Sequence, residues 1–95
     1  MPAYVLVEVD IRDTSLYEQY KALTPATLAQ YGGHFLVRGG EVAPLEGAPP
    51  AGRVVVLEFE DMDAAKRWWS SPEYEAAKAL RHQAATTRLF VVEGA

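Results

Sequence analysis

Residues 3–10, AYVLVEVD, place a valine at every second position and run into the polar stretch Asp10-Ile11-Arg12-Asp13, which predicts a strand followed by a turn. The period then changes. Leu16, Tyr17, Tyr20, Leu23, Leu28 and Tyr31 recur mainly at steps of three and four, the pattern of an amphipathic helix capped by Asp13 or Thr14 and ended by Gly32-Gly33. Pro25 lies inside that pattern, where its missing N–H and its ring predict a kink or break near Leu23-Thr24. A second extended run covers residues 34–38, closes at Gly39-Gly40, and is expected to resume over 41–45 after a bulge or tight turn. The Pro/Gly-dense segment 46–52 separates it from the strongest strand pattern of the chain, RVVVLEFE at 53–60. Asp61 or Asp63 can cap a short helix over 64–69, and Ser71-Pro72 restarts a third, with serine as cap and proline at the first helical position. Residues 87–93 form a closing strand, and Gly94-Ala95 fray.

The order is therefore βαβ followed by βαβ, with the second helix interrupted. Two such halves make an α+β fold of the ferredoxin-like kind, a four-stranded antiparallel sheet with helices on one face. At 95 residues the chain fits one domain, residues 1–95. Alternation along the strands assigns Val5, Val7, Val9, Phe35, Val37, Val55, Leu57 and Phe59 to the face under the helices. The other face carries Tyr4, Leu6, Leu36, Val54 and Val56 together with Glu8, His34, Arg38 and Glu58. A one-sided antiparallel sheet would be polar there, so this apolar surface calls for a cover. A second copy across a two-fold axis supplies one, and a homodimer is expected. Five such residues at roughly 1.5 kcal/mol each amount to on the order of 7 kcal/mol per subunit before the entropy of association is subtracted.

Composition narrows the classes of function. With 49% hydrophobic and 23% charged residues the chain can build a packed core. Nine Lys and Arg against thirteen Asp and Glu give a net charge of −4, the wrong sign for a nucleic-acid partner. The absence of cysteine removes disulfides, thiolate nucleophiles and cysteine metal sites. No apolar run is long enough for a signal peptide or a membrane span, and a cytoplasmic location is expected.

Tyr31-Gly32-Gly33-His34-Phe35-Leu36-Val37-Arg38-Gly39-Gly40, Val55-Val56-Leu57-Glu58-Phe59, Ser71-Pro72-Glu73-Tyr74 and Val91-Val92-Glu93-Gly94 together resemble the family catalogued as domain of unknown function 1330, over nearly the whole chain. That family is similar to the dimeric α/β-barrel superfamily. The resemblance implies two ferredoxin-like subunits packed sheet to sheet, with a cavity between each sheet and its helices. Other branches of the superfamily include cofactor-free monooxygenases, small lactone isomerases and haem enzymes.

The candidate chemistry gathers on the even-numbered face. Arg38 can bind an anionic or carbonyl oxygen while His34 or Glu58 moves a proton, which makes His34, Arg38 and Glu58 the candidate catalytic set. The alternative is structural: Arg38 pairs with Glu58 or Glu8, and His34 sits at a wet rim. Tyr4, Glu8, Trp69, Tyr74 and Arg81 are the candidate substrate contacts, with Tyr17, Tyr20 and Trp68 as further aromatics near a pocket. Core packing is the competing reading for the aromatics, with Met62, Ala65 and Trp69 at helical spacing, Trp69 on the sheet and Trp68 more exposed. Gly39-Gly40 matches no phosphate-binding motif, and His34 and His82 have no metal-ligand spacing, so neither a metal nor a cofactor is expected. Two functions follow: a homodimer that binds a small apolar or carbonyl-bearing metabolite and can act on it by its own acid–base groups without a cofactor, or a non-catalytic structural or regulatory dimer with a filled interior.

Overall fold

The structure, a computed structural model, describes residues 1–95. Its elements are β1 (Ala3–Ile11), α1 (Thr14–Gln30), β2 (His34–Arg38), β3 (Arg53–Phe59), α2 (Met62–Trp69), α3 (Pro72–Ala84) and β4 (Ala85–Glu93). The strands form one antiparallel sheet in the order β2-β3-β1-β4, the ferredoxin-like arrangement that the element order predicts. No helix is long and apolar enough to cross a membrane.

Three side chains start the helices. Asp13 accepts from the Leu16 amide, Asp61 from the Ala64 amide and Ser71 from the Tyr74 amide, each filling one of the donors a helix start leaves open. Pro72 follows its cap at the first turn, where no donor is needed. The last strand begins two residues earlier than the sequence pattern implies, directly after α3. The Ala84 carbonyl there accepts from both Arg12 and Asp13 amides, at 2.8 and 2.9 Å, which ties the end of β1 to the α3–β4 junction.

Val5, Val7, Val9, Val55, Leu57 and Phe59 are buried under the helices, as the two-residue period predicts. Trp68 closes this core from α2. It is 1% exposed, its ring lies 4.1 Å from Tyr74 and 5.5 Å from Phe59, and its indole N–H donates to Thr27 Oγ1 at 3.0 Å. The two tryptophans are thus the reverse of the expected pair. Trp69, 44% exposed, lies outside the core with the Lys78 ammonium 3.8 Å from its ring centre. With Asp61 as cap, α2 turns Ala64, Ala65 and Trp68 inward, and only Trp68 finds an acceptor for its buried N–H.

Two further expectations fail for local reasons. α1 runs unbroken through Pro25, which lies exposed while the opposite side of the helix buries Tyr17, Thr24, Thr27 and Leu28. The hydroxyls of Thr24 and Thr27 bond to the carbonyls of Tyr20 and Thr24, both at 2.8 Å, and hold the turns around the ring. No strand follows Gly39. Its φ of +75° takes the chain into the left-handed region, its amide makes one last bond to the Val54 carbonyl, and residues 40–52 continue as an irregular, largely exposed arm.

Replacing Pro25 by Ala gives the Lys21 carbonyl its helical donor. Urea unfolding is expected to show a gain of about 1–2 kcal/mol, the helical penalty of proline less its stiffening of the unfolded chain. An unchanged or lower midpoint would mean that the flanking turns require the proline ring.

Candidate functional site

β2 decides which residues can meet. His34 pairs with Glu58 and Phe35 with Leu57, but Val37 pairs with Val56 and Arg38 with Val55, so Leu36 is an extra residue in the ladder. Such a bulge shifts every later side chain to the opposite face. Val37 therefore lies on the open face, and Arg38 lies on the helix side, against the alternation expected from the sequence. The guanidinium of Arg38 is 4.3 Å from the centre of the Phe35 ring.

The candidate catalytic set is divided by this geometry. His34 and Glu58 remain on the open face and pair with each other, Nε2 to Oε1 at 2.8 Å. Glu8, on the same face, pairs with Arg88, whose Nε donates to Oε2 at 2.6 Å. Arg38 pairs with neither acid, because the sheet stands between them. A single ligand in one subunit cannot touch Arg38 on one side and His34 or Glu58 on the other.

Arg38 instead borders a cleft between the sheet and α1. Val7, Val9, Phe35, Val55, Leu57 and Trp68 form its apolar walls, and Tyr17, Tyr20, Lys21, Thr24, Arg38 and Arg53 its polar ones. The cavity is small, about 20 Å³, room for roughly one water molecule. Its charge is one-sided: three cations line it and no carboxylate does. Lys21 is paired outward with Glu18 at 3.0 Å. Arg53 donates through Nη2 to the Arg38 carbonyl at 3.3 Å, while its buried Nε has no partner. A guanidinium nitrogen buried without an acceptor is costly, and this one belongs to a residue that lines the cleft. Gly39 permits the arrangement, since a Cβ there would collide with the Arg53 guanidinium. Arg53 was legible in the sequence from its odd number, which aligns it with Val55 and Leu57, but at the start of a strand it reads as a terminal surface charge.

The other candidate contacts fall in three places. Tyr4 is half-buried on the open face, level with Glu58 and Val92. Trp69 and Arg81 border a second, open groove beside β4, with Lys66, His82, Leu89 and Val91. Tyr74 is fully buried, and Arg81 donates to its hydroxyl through Nε at 3.3 Å, with no carboxylate partner of its own. Tyr74 in turn lies 2.8 Å from the hydroxyl of Tyr20, a residue that lines the cleft. Nowhere do three His, Asp or Glu side chains come together with the reach to hold a metal ion.

Residues 2–95 match the family described as Domain of unknown function (DUF1330). The chain belongs to that family. No curated protein matches the sequence. Among solved structures, the DUF1330 chain resembles the RPA0582 protein of unknown function from Rhodopseudomonas palustris, with 20% identity, a TM-score of 0.73, and coverage of 99% of this chain and 82% of the other. A dimeric ferredoxin-like protein of unknown function from Jannaschia sp. CCS1 aligns at 13% identity and a TM-score of 0.75, over 99% and 100% of the two chains. SnoaB, a cofactor-independent oxygenase from Streptomyces nogalater, aligns at 14% identity and a TM-score of 0.67, over 99% and 93%. At these identities the likeness is one of fold.

Three tyrosines hold their protons above the ordinary value of 10.0: Tyr20 strongly, through burial and then Tyr74; Tyr17 through burial, partly offset by Arg53; and Tyr31 through its hydrogen bond to Glu73. A pKa raised in the folded state contributes stability below the unfolded value and loses it as pH climbs toward the folded one. Urea midpoints are therefore expected to lose this contribution only above about pH 10, and to fall less steeply there in Tyr20→Phe. Equal slopes for the two proteins would separate alkaline unfolding from Tyr20.

Proposed function

We propose that this DUF1330 chain is a homodimeric small-molecule-binding domain whose ligand, a small and largely apolar molecule bearing a carbonyl or related oxygen, enters the cleft between the sheet and α1. The observation that carries the reading is a largely apolar cleft lined by three cations and no acid, one of them Arg53, whose buried Nε has no partner. Arg38 is exposed at the edge of that cleft, over Phe35, so its movement would widen the entrance. Arg38 and Arg53 would hold the oxygen while the valines, Phe35 and Trp68 exclude water. Chemistry without a cofactor is consistent with SnoaB, a neighbour in fold, being a cofactor-independent oxygenase. His34 and Glu58 would serve a different role, fixing the open face by pairing with each other.

The open face supports the dimer. Val37, Val56, Leu6 and Phe90 form an apolar row across all four strands, and Val92 extends it. Leu36, Val37, Phe90 and Val92 are between 39% and 50% exposed in the single chain. The ionic groups beside this row are already paired, His34 with Glu58 and Glu8 with Arg88, so covering it strands no charge there. Several neighbours in fold are themselves described as dimeric.

A second reading, a structural dimer with a filled interior, is favoured by the small size of the cavity. Binding decides between them. Arg53→Met is expected to weaken 1-naphthoate, a carboxylate on an apolar body, about tenfold or more, the usual weight of a hydrogen bond to a charged group. Arg38→Ala is expected to weaken it less. Loss of melting temperature with unchanged titration curves would favour the structural reading.

For the assembly, light scattering is expected to give twice the chain mass at micromolar concentration, and Phe90→Glu to give the single mass with its circular dichroism retained. A wild-type monomer would remove the face-to-face dimer.

A further inference from the structure

The proton on the Tyr20 hydroxyl has a direction that the hydrogen-bond chain behind it determines. Tyr74 is 0% exposed, and its hydroxyl has two polar neighbours, Arg81 Nε at 3.3 Å and Tyr20 Oη at 2.8 Å. Arginine donates and cannot accept. A buried hydroxyl must still place its own proton, so the Tyr74 proton goes to Tyr20 Oη. Tyr20 is then the acceptor in that pair, and its own proton points away from Tyr74. The adjacent hydroxyl on the helix, Thr24, is itself donated to the Tyr20 carbonyl at 2.8 Å. Tyr20, Thr24 and Arg53 all line the cleft.

We infer that Tyr20 is a hydrogen-bond donor to the ligand, aimed by the Arg81–Tyr74 pair, and that the cleft selects molecules presenting an oxyanion, a phenolate, enolate or carboxylate on an apolar body. The inference rests on the cleft being the ligand site proposed above. Tyr20 would touch the ligand oxygen, and Tyr74 and Arg81 would be positioning residues. Each group in the series can only hand a donor forward: the Arg81 cation to Tyr74, Tyr74 to Tyr20, Tyr20 to the ligand. Because Arg81 is 3% exposed and has no carboxylate partner, its charge acts along this chain without neutralisation, which polarises the terminal hydroxyl toward donation. Burial keeps Tyr20 protonated far above neutral pH, so it remains a donor and does not become a competing anion. Arg53, whose Nε is unpartnered, also lines the cleft. A ligand cation such as an ammonium would meet the Arg53 charge and could not use the Tyr20 proton.

The probe is 4-nitrophenol, whose yellow phenolate can be followed directly in the presence of excess protein. The wild type is expected to shift the phenol–phenolate balance toward phenolate by about tenfold, one pKa unit. Tyr20→Phe is expected to lose most of that shift, and Tyr74→Phe, which removes the donor that orients the Tyr20 hydroxyl, an intermediate share. Because Tyr20→Phe leaves the Tyr74 proton without an acceptor, the double variant Tyr20→Phe/Tyr74→Phe is measured alongside it and is expected to match Tyr20→Phe in the probe shift. A merely structural role would alter melting temperature and leave the balance of bound probe unchanged. If Arg53→Met loses the shift while both proteins lacking the Tyr20 hydroxyl keep it, the cleft stands as the site and Tyr20 is not the donor. If the wild type produces no spectral change, the cleft reading itself falls, and this inference with it.

Discussion

The pleat of the sheet governs where every group in this protein can act. Side chains on a strand alternate between two faces, and one added residue reverses the assignment of all that follow it. Leu36 is that residue. It leaves His34 on the open face with Glu58 and places Arg38 on the helix side of the sheet, exposed at the cleft edge beside Phe35. The division of charge between the two faces follows: acids paired on the open side, cations gathered in the cleft.

Buried polar groups in the helical layer are satisfied in two series that converge from different helices. Trp68 donates to Thr27 and Thr27 to the Thr24 carbonyl; Arg81 donates to Tyr74, whose hydroxyl is bonded to that of Tyr20. Both series link α1 to the helices opposite it, and both use hydroxyls, which can accept and donate at once. They also explain why α1 keeps its course through Pro25. The proline faces outward, and the residues that hold the helix in place are the tyrosines and threonines on the other side.

Much of the fold was legible from period and punctuation. Asp13, Asp61 and Ser71-Pro72 announced three helices at the residues that cap them, and Val5, Val7, Val9, Val55, Leu57 and Phe59 announced the buried face of the sheet. The site was less legible. Tyr74 and Arg81 are adjacent in space because they share one helix two turns apart, a spacing visible in the chain, but their link to Tyr20 crosses from α3 to α1. Trp68 and Trp69 differ only in which of them meets Thr27, 41 residues away in sequence.

The amino-acid order by itself determined the element sequence, the ferredoxin-like class and the apolar character of both sheet faces, because these depend on spacing and on residues acting within a turn or two of chain. Tertiary structure alone decided the bulge at Leu36, the side on which Arg38 emerges, the inward tryptophan and the partners of Glu8 and Glu58. Each of these is a choice between alternatives that are locally near-equal, and what settles it is whether a polar atom or a ring brought to the core finds its counterpart on a distant element.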